Sequence, residues 1–342
     1  MRISDLVRFR NILQESLGSL SLLRPINDVY TILNSTITSN NRIDESFHFP
    51  INNYAKRIQN LLFESEEIVN DIKKYISDIN KQIDLMADEQ FNNDHFKQEW
   101  QRVFKNGLLR DFYVTDEINL LVQARISQYI DWHYPALQFG CRYNGQEPKK
   151  QKDKFKTLGQ QLNDPDVFLE FTNNLTGSEP LYVCDFNKES MQRCIAKFNT
   201  DYQKKICQYI IEDNNFNALP QNQFSFILCW NMFNYVTLEI LEKYIINLMS
   251  LLRPGGVILF SYNNCDLIES MVLTEIGSAS YIPKRHIEQL CNKHNFELVA
   301  SFDIQNEVDL IEFTRISWVE IKKPGGLTTI KANSSLGQII IK

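Results

Sequence analysis

The stretch "ALQFGCRYNG", residues 136–145, reads as a buried strand running into a glycine turn. A short apolar run followed by a residue free to take positive φ is how many α/β sheets open a nucleotide crevice. Downstream of this turn the chain keeps one texture. Short apolar strands recur at "LYVCD" (181–185), "CQYII" (207–211), "FSFILCW" (224–230), "GVILFSY" (256–262), "FELVASFD" (296–303) and "RISWVEIK" (315–322). Helix patterns lie between them at 165–175, 188–198, 237–252 and 283–294. Strand alternating with helix predicts a seven-stranded, mostly parallel α/β sheet covered on both faces.

Upstream of residue 130 the pattern is helical. From Tyr54 the core positions run Tyr54, Ile58, Leu61, Ser65, Ile68, Ile72, Tyr75 and Ile79. Their alternating steps of four and three are the spacing of a coiled-coil seam. A helix over 53–87 would be roughly 50 Å long at about 1.5 Å per residue. It must lay its stripe on helices from 3–22 and 94–106, or on another copy of the chain. "NSTITSNNRIDESFHFP" (34–50) is polar and aperiodic and reads as a loop. The expected organisation is a helical arm over 1–114, an α/β domain over 115–323 and a tail over 324–342. That tail carries two β-prone runs, "LTTIK" and "GQIIIK", and no acid. Apolar strands of this kind are adhesive, so the tail and the N-terminal helices are expected to dock protein partners or further copies of the chain.

Composition narrows the function classes. A net charge of −6 argues against a broad nucleic-acid face. No apolar run reaches the 18 or so residues of a membrane span, and the N-terminus lacks the apolar core of a signal peptide. The seven cysteines include no CxxC pair, which predicts free thiols in a reducing, cytoplasmic compartment and no metal site. No histidine stands at a spacing that would build a catalytic triad.

In an open α/β sheet, ligands sit beyond the carboxyl ends of the strands. Strand one ends at Gly140 and strand two at Asp185, an acid placed to accept hydrogen bonds from two hydroxyls. "IIEDNNFNALPQNQFSFILCWNMFNYV" (210–236) then supplies a strand, a polar turn, a second strand and Trp230-Asn231. "LLRPGGVILFSYNN" (251–264) comes one helix later. In this order, "YVCDFN", "NALPQNQFSFILCWNMFNYV" and "LLRPGG" resemble the class I S-adenosylmethionine-dependent methyltransferases over about residues 130–323. The run "YIPKRHIEQLCNKHNFELVASFD" is similar to that family's late helix and antiparallel strand pair.

The resemblance implies a Rossmann-like methyltransferase fold with S-adenosylmethionine as cofactor. It would place Gln138, Gly140, Cys141 and Arg142 at the methionine end of the cofactor. Asp185 would meet the ribose, Phe186 and the pair Asn215-Phe216 the adenine, and Trp230 and Asn231 the floor near the sulfonium. The sequence departs from the family pattern at the first turn. Gln138 stands where an acid is usual, and Arg142 and Asn144 stand where glycines are usual. Arg142 near a sulfonium would repel it, whereas reaching the methionine carboxylate would help. Asp185 could also cap the next helix, and Trp230 could be plain core. Two functions therefore stand side by side. One is an active methyltransferase with an acceptor the sequence does not identify. The other is an inactive methyltransferase-like structural protein of a larger assembly, such as a phage virion component.

Overall fold

The computed structural model describes residues 2–20, 45–91, 96, 98, 116–141, 172, 174–212, 215–230, 232–277, 279–305, 315–325, 328–330 and 339–341. The chain divides into two compact units, Met1–Gln90 and Phe91–Lys342. The first boundary thus falls earlier than residue 114, and the tail is counted with the α/β unit.

The first unit holds helix α1 (Ile3–Leu20) and helix α2 (Glu45–Phe91). The long helix extends past both ends of the expected span. Its first residues, 45–50, belong to the stretch expected to be loop, while 34–44 lie outside the described residues. The seam also differs. Ile68 and Tyr75 are 50% and 61% exposed, while Ile83 and Ala87 are buried. Val69, Ile72, Ile76 and Ile79 are half-buried. Apolar residues stand at both 68/75 and 69/76, so the sequence stripe is wider than a two-position seam. Ile72 and Ile79 of the expected seam face inward, whereas Val69 and Ile76 take the places expected of Ile68 and Tyr75. Tyr54, Ile58, Leu61 and Ser65 lie outside the residues whose side chains are described. Arg10 is buried on α1 and donates to Asn80 Oδ1 on α2 at 3.3 Å.

In the second unit, helix α3 (Asp116–Tyr129) leads into strand β1 (Ala136–Phe139). There follow β2 (Leu181–Asp185), α4 (Lys188–Ile195), α5 (Thr200–Gln203), β3 (Ile206–Ile210) and β4 (Phe224–Cys229). The chain continues through a 3-10 turn (Phe233–Tyr235), α6 (Leu238–Leu251), β5 (Leu252–Tyr262), α7 (Ile268–Glu275), α8 (Lys284–His294), β6 (Glu297–Gln305) and β7 (Arg315–Lys322). The sheet order is β3-β2-β1-β4-β5-β7-β6. Strands β1 to β5 pair in parallel, and β7 runs antiparallel between β5 and β6. This is the strand order of the class I methyltransferase fold, with the lone antiparallel strand in its characteristic place.

Both faces are covered, which is why β4 is buried at every position. On one face Tyr244, Ile245 and Leu248 of α6 pack with Ile287 and Leu290 of α8 over Phe139, Phe260 and Ile321. On the other, Val122 and Ile126 of α3 and Met191 and Cys194 of α4 cover Ala136, Val183, Phe226 and Trp318. Helix α3 is further pinned by Arg125, whose guanidinium meets the fully buried Glu320 of β7 through Nε and, at 2.6 Å, through a terminal nitrogen. The Arg125–Glu320 hydrogen bond raises the arginine's pKa against the opposing effect of burial.

The "RPGG" segment is the irregular first half of β5 rather than a free turn. Leu252 already pairs with Phe224, and the register shifts before Phe226. Gly255 sits at φ +79 and donates its N–H to Lys323 O at 3.0 Å. At Gly256 a Cβ would lie 2.8 Å from Phe224 O, so only glycine lets the two strands meet there. Helices α6 and α4 start on Thr237 and Asn187, whose side chains accept from Ile240 N and Ser190 N. The two tail runs form strands β8 (Thr328–Ile330) and β9 (Ile339–Ile341), which pair with each other and lie outside the seven-stranded sheet.

Candidate functional site

The chain leaves β1 toward β2 and β3, then returns to β4 on the other side of β1. The carboxyl ends of β1 and β4 therefore bound a switch point, where the loops splay apart and open α/β sheets hold ligands. Gly140 stands at the end of β1 with φ +90, a conformation natural to glycine. It donates its N–H to Cys184 O at 2.8 Å, which carries the β1–β2 ladder one step beyond the strand.

The next amide ties the two strand ends through a side chain. Cys141 N donates to Asp185 Oδ2 at 2.5 Å, and Asn187 N donates to Asp185 Oδ1 at 2.8 Å. The carboxylate is 7% exposed. Burial raises its pKa, while the amides of Asn187, Cys141 and Phe186 pull the other way. Asp185 is thus a clasp between the first two loops and not the cap of α4, a role taken by Asn187. The carboxylate's roughly four lone-pair sites are largely taken by these amides and by the Cys141 thiol. The Cys141 thiol is buried and its pKa is pushed well above the usual value, mainly by desolvation. Its carbonyl accepts from Cys194 Sγ at 3.1 Å.

Gln138 is 1% exposed and donates Nε2 to Gly140 O at 3.2 Å. That bond fixes the amide's orientation, because a flipped amide would set two acceptors face to face. The other end, Oε1, is a buried acceptor with no partner. Such a group is costly to leave bare and marks a point where an N–H or O–H donor would be welcome.

Asn215 bends the turn after β3. Its Oδ1 accepts from Asn217 N at 2.9 Å, and the bend delivers Phe216 into the core, 3% exposed. There Phe216 meets Phe139 edge-on, with centroids 5.5 Å apart. Phe186 meets the same ring at 5.6 Å, and both Phe186 and Phe216 reach Tyr244 at 5.9 Å. Gly140, Asp185 and the Asn215 turn therefore converge on one rim, with aromatic rings beneath it. Trp230 stacks on Trp318 at 5.1 Å, within the core on the α3 side of the sheet. Arg142 and Asn231 lie outside the described residues.

Met232 and Tyr244 are two participants that sequence reasoning does not pick out. Met232 comes after β4, is 3% exposed and lies directly over Gly140. Its position just past a strand at the switch point is the available signal. Tyr244 shows only as one apolar position of α6 and carries no signal of its own. Among the described residues no cluster of histidine, cysteine and acidic side chains could hold a metal ion. All seven cysteines are unpaired, and none of the described helices is long and apolar enough to cross a membrane.

No protein-family model matches the sequence, and neither does any curated protein. Solved structures with a similar fold include the N-methyltransferase NodS of Bradyrhizobium japonicum in complex with S-adenosyl-L-homocysteine. It is 13% identical, with a TM-score of 0.44, over 68% of this chain and all of that one (100%). Another is the geranyl diphosphate C-methyltransferase of Streptomyces coelicolor, 7% identical with a TM-score of 0.44 over 67% of this chain and 98% of that one. A third is an S-adenosylmethionine-dependent methyltransferase of Clostridium acetobutylicum, 13% identical with a TM-score of 0.43 over 72% and 99%. At such scores the fold assignment stands on the strand order, and the site must be judged on its own geometry.

Proposed function

We propose that the α/β unit binds S-adenosylmethionine at the carboxyl ends of β1 and β2 and is a class I methyltransferase. The observation that carries this reading is the clasped carboxylate of Asp185 beside the positive-φ turn at Gly140. The residues present fit such a ligand. Asp185 ends β2 at this rim, where a ribose hydroxyl would replace the Cys141 thiol as a donor to its carboxylate. Gln138 Oε1 is an orphaned acceptor suited to the ligand's ammonium group. Phe186 and Phe216 offer ring faces and edges for an adenine.

When bound, the cofactor supplies a methyl group on a sulfonium, open to in-line displacement by a nucleophile. The chain's own contribution is positioning and exclusion of water, and displacement chemistry relies mostly on such positioning. Gln138 and Asp185 orient the two ends of the ligand. The ring cluster of Phe139, Phe216, Phe233 and Tyr244 keeps the floor dry. Gln138 in place of an acid gives up a charge-assisted bond, worth about 1–2 kcal/mol, so affinity is expected to be modest.

A second reading keeps the fold without methyl transfer, as a structural component of a larger assembly such as a virion. It is favoured by the same Gln138 and by the packing of Phe186 and Phe216 against core rings. Calorimetric titration of the full chain with S-adenosylhomocysteine separates the two. Micromolar binding that disappears in Asp185→Ala, with folding checked by circular dichroism, supports the enzyme. No heat at millimolar ligand refutes it and leaves the second reading.

A further inference from the structure

The face of Gly140 that lacks a side chain is already occupied. A Cβ built there would lie 2.0 Å from Met232 Sδ, 2.6 Å from its Cγ and 3.1 Å from its Cε. The thioether of Met232 therefore lies flat on the bare backbone of β1's last turn. It does so at the switch point between β1 and β4, where the strand order predicts the ligand crevice. Met232 is 3% exposed and belongs to the ring cluster with Phe139, Phe216 and Phe233. A short unbranched chain carrying sulfur is also what the amino-acid half of an S-adenosyl ligand presents.

We infer that the Met232 side chain stands in for the thioether chain of an S-adenosyl ligand, and that binding requires Met232 to swing out of the Gly140 cradle. This inference rests on the proposed cofactor site and adds its gate. Methionine suits the role. Its three flexible bonds let it leave without backbone movement, and its sulfur packs well on aromatic edges while it stays. With the plug seated, apparent affinity falls by the fraction of molecules in which the cradle is open. A cradle open in one molecule in ten to one in a hundred weakens binding by about tenfold to a hundredfold.

The test is titration of S-adenosylhomocysteine into wild-type chain and into Met232→Ala. The plug predicts that the variant binds more tightly, by about tenfold or more. Binding by the variant alone, with none by wild type, is the same result in stronger form. Binding weakened or unchanged in the variant, with wild type binding normally, overturns the plug and leaves the cofactor site standing. Binding by neither removes both.

A second measurement keeps the question open to refutation if Met232→Ala does not fold. The wild-type chain is labelled with carbon-13 at the methionine methyls, and the Met232 signal is assigned from its loss in Met232→Leu. Saturating S-adenosylhomocysteine should move that signal well beyond the shift of Met249, which is buried in the same core. A Met232 signal that stays in place while calorimetry registers binding overturns the inference.

Discussion

Replacing Gly140 by alanine tests the geometry of the whole crevice with one methyl group. The structure imposes two costs. The backbone at 140 has φ +90, where a residue with a Cβ is strained by about 1–3 kcal/mol. The new methyl would also sit 2.0 Å from Met232 Sδ. The thioether must move, and overpacking of a filled site costs about 1–3 kcal/mol. The expected loss for Gly140→Ala is therefore about 2–6 kcal/mol. The two contributions separate in a double-mutant cycle with Met232→Ala, which removes the clash and leaves the strain. A coupling of about 1–3 kcal/mol should appear, above the roughly 0.5 kcal/mol scatter of independent sites. Guanidinium unfolding monitored by tryptophan fluorescence is the suitable assay. The four tryptophans, Trp100, Trp132, Trp230 and Trp318, all fall in the α/β unit, so the signal reports that unit alone. A Gly140→Ala protein within about 0.5 kcal/mol of wild type would refute the reasoning, since position 140 would then be neither strained nor covered.

Arg125→Met retains a stem over Tyr129 and Phe302 but leaves the carboxylate of Glu320 buried without its cation. The expected loss is about 3–5 kcal/mol, most of it recovered when Glu320→Leu is added. A single-variant loss below about 1 kcal/mol in chemical unfolding would show that the pair does not hold α3 to the sheet. Glu242 of α6 accepts from Lys293 and His294 of α8, and these two partners hold its carboxyl below the ordinary glutamate value of 4.5. The unfolded chain then binds the proton more readily, so this contribution is complete above 4.5 and fades as pH falls through the lower folded value. Unfolding midpoints of wild type and Glu242→Gln should differ at neutral pH and converge in acid, and a gap that persists in acid would contradict the assignment. Deletion of residues 324–342 is expected to reduce self-association or partner binding measured by light scattering, in keeping with a β-prone docking tail; unchanged mass and binding would dismiss the tail as a docking element.

The sequence is most legible where period alone decides. "LYVCD" and "RISWVEIK" are strands at the expected bounds because their apolar runs are short, β-branched or aromatic, and closed by polar residues. The segment "RPGG" is less legible. Glycine and proline normally punctuate, yet here Gly256 serves close strand approach and Leu252 already pairs with Phe224. The α2 seam keeps Ile72 and Ile79 but takes Val69 and Ile76 in place of Ile68 and Tyr75, because apolar side chains occupy adjacent helical positions and composition cannot say which of two neighbours turns inward. Helix α7 has no clear mark in the sequence: no side chain caps its first turn, and Asn263 instead holds the segment by donating to Thr274 Oγ1 and to the carbonyls of Ser270 and Ser280.

The site shows the same limit in sharper form. Strand order alone brings Gly140, Asp185 and the Asn215 turn together, and each of them ends or succeeds a recognisable strand. The filling of the space between them depends on rotamers, which leave no periodic trace. Phe186 and Phe216 read from the resemblance as adenine contacts, and in the structure their rings rest on Phe139 and Tyr244. Asp185 could be read as ribose acceptor or helix cap, and it is a clasp between the first two loops. The two functional readings therefore do not differ in fold, or in which residues line the rim. They differ in the free energy needed to part Met232 from Gly140, about 1–3 kcal/mol for a cradle open in one molecule in ten to one in a hundred. A cost of that size separates a working cofactor crevice from a sealed core, and one methionine side chain can supply it.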